Sequence, residues 1–184
     1  MIFRETALPG VMIVQQERRE DHRGYFARTF CADEFIDHGL DPRCVQASVS
    51  FNRRRGTLRG LHYQVPPYAE VKLVRCLRGA IWDVALDLRP DSPTFRSHIG
   101  VELTAESGDA IYIPPGLAHG FQTLEDNTEV FYQMSERYAP AAQHGVRFDD
   151  PAFGIQWPLP SPILLERDRS YADFPVGWGA GAVR

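Results

Sequence analysis

The chain has 184 residues, with 20 Lys and Arg against 24 Asp and Glu and a formal net charge of −4. That length suits one domain whose core is large enough to surround a pocket, and the mildly acidic balance excludes a general binder of nucleic acid. Cys31, Cys44 and Cys76 are widely spaced and form no CxxC pair, so they read as free thiols rather than a disulfide framework or metal cluster.

In chain order, residues 1–8 lack the cationic and apolar regions of a leader. No window approaches the ~18 apolar residues of a membrane span, so the expected location is the cytoplasm, with no membrane partner. Short alternating segments separated by Gly, Pro and Asp then dominate. Strands are expected over 11–16, 25–30, 45–51, 57–64, 71–77, 80–88, 95–103, 110–113 and 129–135, with Arg78-Gly79 as a tight hairpin turn. Only 31–38 reads as a helix, with Asp33 and Glu34 in its first turn and Gly39 as its stop. Strands at this spacing favour a mainly β fold, an antiparallel sandwich or jelly-roll barrel enclosing a pocket. Pro158, Pro160 and Pro162 make an extended arm. The domain is expected to span 1–171, followed by a loosely attached Gly-rich tail over 172–184.

Two clusters carry chemistry. In Leu58-Arg59-Gly60-Leu61-His62-Tyr63-Gln64, followed by Lys72, two cations and an imidazole sit among residues of β type. On a regular strand Arg59 and His62 would face opposite sides, but a bulge at Gly60 would re-aim one of them toward a shared cavity. The plainer reading makes Arg59 a rim residue and His62 a hydrogen-bonded core histidine. In the second cluster, Ile113-Pro114-Pro115-Gly116-Leu117-Ala118-His119-Gly120-Phe121, the PxGxxH run resembles the second motif of cupins. Many cupins hold a metal with an HxH pair, a Glu and this later His. Here the pair reads His62-Tyr63-Gln64, and an amide is a poor substitute for the second imidazole, so no metal is expected.

Further strings extend the pattern: Asp21-His22-Arg23-Gly24-Tyr25-Phe26, Lys72-Leu73-Val74-Arg75-Cys76, the run from Asp83 to Arg89 with Ser92-Pro93-Thr94-Phe95, Asp150-Pro151, Gly154-Ile155, Trp157-Pro158 and Glu166-Arg167-Asp168. Together and in this order they resemble the dTDP-4-dehydrorhamnose 3,5-epimerase family over about residues 2–170. The resemblance implies a cupin-type jelly roll, a homodimer exchanging N-terminal strands, no metal or organic cofactor, and a nucleotide-activated 4-keto-6-deoxyhexose as substrate, supplying deoxysugar for polysaccharide or a glycosylated metabolite. By the same resemblance, His62 would be the base and Asp168 its partner, Tyr132 the acid, and Lys72 the cation at the enolate oxygen. Arg23 and Arg59 would contact phosphate, Asp83 and His119 would support the pocket, and Phe26 and Tyr138 would line it.

The chain also departs from the family pattern. Ala27-Arg28 stands where many members have Phe-Glu, Gln46-Ala47-Ser48 replaces Gln-Asp-Asn, and the following loop carries Arg53-Arg54-Arg55. These positions lie toward the family's nucleotide end. With Arg28, Gln46 and Ser48 as base contacts, a cytidine or guanosine diphosphate sugar stands beside the thymidine form. Two other readings remain open: a mono-epimerase acting at C3 or C5 only, and a non-catalytic cupin that binds a nucleotide sugar.

Overall fold

The structure, a computed structural model, describes residues 1–175. The strands are β1 Ile2–Glu5, β2 Met12–Gln15, β3 Arg18–Asp21, β4 Gly24–Ala27, β5 Gln46–Asn52, β6 Leu58–Gln64 and β7 Lys72–Arg78. They continue as β8 Ala80–Asp87, β9 His98–Thr104, β10 Ala110–Ile113, β11 Leu117–Thr123, β12 Thr128–Met134 and β13 Gln143–Gly145. Two short helices, α1 Ala32–Asp37 and α2 Glu166–Arg169, one more than expected, and a 3-10 turn over Pro140–Ala142 complete the set. One antiparallel sheet runs β1-β2-β10-β7-β12-β5 and the other β13-β6-β11-β8-β9, while β3 and β4 pair apart from both. The expected mainly β, antiparallel jelly roll is thereby realised.

The sheets close on one another because each presents an apolar inner face. Val74, Ile111, Ile113 and Val130 of the first meet Ile81, Ala85, Leu103 and Phe121 of the second. Burying each such side chain is worth about 1.5–3 kcal/mol. On the outer face of the first sheet, α1 docks through Phe35, 1% exposed, against Val14, Leu73 and Tyr112. Its end is fixed as expected, by the Gly39 amide donating to Ile36 O and Leu40 to Phe35 O. Over the second sheet, Val146, Phe153, Ile155 and Phe174 cover Leu61, Val84, Leu86 and Ala118.

Several expectations change. Arg78-Gly79 is no hairpin: β7 and β8 lie in different sheets, and Gly79 is the corner where the chain crosses between them. Four strands were not anticipated. β1 and β3 are largely exposed and carry no apolar alternation, β13 is short, and β11, with Ala118 and Gly120 soon after Pro114-Pro115, shows no strand alternation although it is buried throughout. The expected tail lies largely outside the described residues, since only 172–175 are described. Within that part Phe174 is 6% exposed and its amide donates to Asp150 Oδ2 at 2.6 Å.

The Asp87 to Thr94 motif has a structural role. The buried Asp87 carboxylate accepts from Arg89 Nη2 at 2.7 Å, Ser92 Oγ at 2.5 Å and Thr94 Oγ1 at 2.7 Å. Burial pushes this carboxyl up, but those donors outweigh it and hold it at about 2. The loop between β8 and β9 is thus tied to the barrel by one carboxylate that is ionised at neutral pH.

Candidate active site

A cavity of about 400 Å³ opens between the two sheets and under the C-terminal arm. β6 enters it irregularly. His62 pairs with His119 and Arg59 with Phe121, so two residues of β6, Gly60 and Leu61, stand opposite Gly120 alone. This is the bulge expected at Gly60, whose φ is +112°. It brings Arg59 and His62 to the same cavity.

The Pro-spaced arm returns over the mouth. Gln122 clamps Leu159 through both amide atoms, at 2.9 and 3.0 Å, and Leu58 N donates to Ile163 O at 2.8 Å. Thus α2 reaches the cavity, and Asp168, 2% exposed, lies 2.8 Å through Oδ1 from His62 Nε2. Burial pushes the Asp168 carboxyl up, but His62, the Gly60 amide and Arg167 more than offset it, so it stays below the usual carboxylate value. An ionised partner fixes Nε2 as the protonated ring nitrogen, and among the described residues nothing bonds Nδ1. The unprotonated Nδ1 is therefore the atom able to accept a proton.

On the opposite wall, Tyr132 of β12 is half-buried and lines the same cavity. Burial pushes its phenol up, an effect only partly offset by a hydrogen bond with Ser50 and by the Arg59 charge. The phenol therefore stays protonated at neutral pH. Lys72 Nζ donates to His62 O at 3.1 Å and pairs with Glu70 at 3.1 Å. Deeper in, His119 Nε2 meets Asp83 Oδ2 at 2.8 Å, while the other oxygen, Asp83 Oδ1, is buried without a hydrogen-bond partner among the described residues. Arg59 Nε donates to Asn52 Oδ1 at 2.7 Å, and its terminal nitrogens have no described partner.

Gln64 has a fastening role. Its Nε2 donates to Tyr68 O, Glu70 Oε2 and Arg137 O, and its Oε1 accepts from Ala139 N. No three His, Cys, Asp or Glu side chains group as a metal site among the described residues. Tyr138 lines the mouth and donates its hydroxyl to Gln143 Oε1 at 2.7 Å.

The remaining candidates lie outside this cavity. Arg23 is bound by Asp21 on the β3-β4 hairpin, where Phe26 is 72% exposed. Arg28 pairs with Glu34 at 2.8 Å. Gln46, at the end of β5, accepts from Tyr138 N, and Ser48 pairs in register with Tyr132. Ser50, Asn52, Glu70, Gln143 and Arg167 were missed by reasoning from the sequence. The signal for the first two was present: Ser48, Ser50 and Asn52 alternate with Val49 and Phe51. Polarity is inverted there, with Ser50 and Asn52 buried and Val49 and Phe51 about half exposed; Asn52 is satisfied by Ser50 O, Thr128 O and Arg59 Nε.

The family model described as dTDP-4-dehydrorhamnose 3,5-epimerase matches residues 5–175. A dTDP-4-dehydrorhamnose 3,5-epimerase of Methanothermobacter thermautotrophicus is 43% identical over 172 residues, covering 92% of this chain and 92% of its own. The crystal structure of a dTDP-4-dehydrorhamnose 3,5-epimerase from Bacillus anthracis with TDP and PPi bound has a TM-score of 0.91 at 36% identity, covering 94% of this chain and 99% of that one. A 3'-monoepimerase from Streptomyces bikiniensis in complex with dTDP-quinovose has a TM-score of 0.83 at 36% identity, covering 89% and 83%.

Proposed function

The chain belongs to the dTDP-4-dehydrorhamnose 3,5-epimerase family, and on that premise we propose that it inverts C3 and C5 of a dTDP-linked 4-keto-6-deoxyhexose through an enolate. The chain is an isomerase. The 4-ketone acidifies the hydrogens on both neighbouring carbons. His62 takes one of these protons, the C–H electrons pass into the enolate, and Lys72 stabilises the negative oxygen. Tyr132 then returns a proton to the opposite face of the same carbon, which leaves composition and oxidation state unchanged.

The observation that carries this reading is the opposition of two proton-transfer groups. An imidazole held by an ionised carboxylate at 2.8 Å stands on one sheet, and a phenol kept protonated by burial stands on the other. Asp168 orients the ring and stabilises the imidazolium. The terminal nitrogens of Arg59, without a partner among the described residues, suit a diphosphate.

Incubation with dTDP-4-keto-6-deoxyglucose in heavy water tests the reaction. Deuterium is expected at both C3 and C5; label at one carbon supports a mono-epimerase, and label at neither removes the reading. Titrating dTDP against CDP and GDP in the same preparation reads the base, with dTDP expected to bind best.

The active assembly is a homodimer in which the β3-β4 hairpin reaches the partner's cavity. Two features support this: Tyr25, Phe26, Val49, Phe51 and Leu77 are all about half or more exposed, and Arg23 and Phe26 lie outside the chain's own cavity. Light scattering is expected to give twice the chain mass, and a monomer in active solutions contradicts it.

A further inference from the structure

We infer that Arg167 is a positioning residue whose positive charge, held against the His62 ring, opposes formation of the imidazolium and so leaves the ring able to act as a base at lower pH. The inference rests on His62 being the base. Asp168 by itself favours the imidazolium, and a ring protonated before substrate arrives takes no proton from it.

The geometry supplies the counterweight. Arg167 Nη2 lies 3.3 Å from His62 Nε2, and its Nε donates to Asp168 Oδ1 at 3.3 Å. Since Nε2 already makes the shorter 2.8 Å contact with that carboxylate, it carries the hydrogen, and the guanidinium faces an N–H rather than a lone pair. This contact is tolerable beside a neutral ring and repulsive beside an imidazolium. The third arm is pinned as well: Nη1 donates to Gln143 Oε1 at 3.3 Å, the atom that also accepts from Tyr138. The guanidinium is thus fixed although its side chain is 50% exposed.

Other groups around His62 do not supply this effect. Lys72 reaches the His62 carbonyl rather than its ring, and Glu70 pairs with it. His119, across the strand pair, is held by Asp83. Tyr171 stands edge-on at 6.4 Å between ring centroids, and burial pushes its phenol up. Tyr132 and Tyr138 line the same cavity, and Arg59, on the same strand, is bonded to Asn52. His144 stacks on Tyr63, 5.7 Å between centroids. Of the cations among the described residues, Arg167 is the one in contact with the imidazole.

The test is the pH profile of kcat/KM for solvent deuterium exchange in wild type, Arg167→Met, Arg167→Gln and Arg167→Lys. In the Met and Gln variants the acid limb is expected to move to higher pH by about 0.5–1 unit, while the Lys variant stays close to wild type. Added salt should move the wild-type limb the same way, since a half-exposed cation is screened. A Gln variant behaving like wild type would mean hydrogen bonding rather than charge matters, and overturns the inference. So does an unshifted limb in all three variants with weakened dTDP binding, which would make Arg167 a substrate contact. His62→Asn serves as the separate control: if it still exchanges, the base assignment fails, whatever the Arg167 variants show.

Discussion

His62→Asn should bind dTDP nearly as wild type does and lose C–H exchange by about 10²–10⁴-fold. The reason is specific to the ring. Asn keeps a polar side chain of smaller volume, but it ends short of Asp168 Oδ1, which lies 2.8 Å from His62 Nε2, and it offers no basic nitrogen to the cavity. Asp168 also keeps the Gly60 amide and Arg167 as partners, so its buried carboxylate is not orphaned. A thermal melt and a dTDP titration therefore separate lost chemistry from lost structure. Unchanged turnover would remove His62 as the base, and retained binding without any exchange in the wild-type chain would favour the non-catalytic cupin.

The second large effect is on stability. Gly60→Ala is expected to cost about 3 kcal/mol or more, a fall in Tm on the order of 10 °C for a chain of this size. A Cβ at residue 60 would lie 2.6 Å from Gly120 Cα and 2.6 Å from His119 O, both backbone atoms, at a φ of +112° that side chains avoid. The neighbours cannot yield without breaking the pairing of β6 with β11, and that pairing carries His62 and His119. Gly39→Ala provides the contrast. Its φ is +71° but nothing lies within 4 Å of the added carbon, so about 1 kcal/mol is expected. Equal melting of the two variants would show that the bulge tolerates a side chain and that its tight packing does not matter.

The strand pattern was legible wherever one face met apolar core. The segments over 72–78, 80–87 and 110–113 alternate or run apolar because Val74, Ile81, Ala85 and Ile111 must be buried. It failed where another force set the pattern. β11 is hidden by its small residues, and Gly120 is needed there because β6 approaches so closely. β5 was found as a strand, but its inward polar residues were legible only as contacts for a nucleotide base; Asn52, the partner of Arg59, was passed over. Arg167 was read as an ordinary member of the Glu-Arg-Asp string, because nothing local distinguishes a guanidinium in solvent from one held against an imidazole.

By itself the sequence determined the fold class and offered Gly60 as a bulge that could bring Arg59 and His62 to one cavity, since strand period and side-chain type are local properties; Tyr132 and Asp168 stood out only through the family resemblance. Only the tertiary structure decided which of them meet. The 2.8 Å contact of His62 with Asp168 spans 106 residues and depends on an arm clamped by Gln122. The division of His62 and Tyr132 between facing walls depends on how the sheets are ordered. Reach and opposition arise when the barrel closes and its apolar faces leave water, and no window of sequence contains that event.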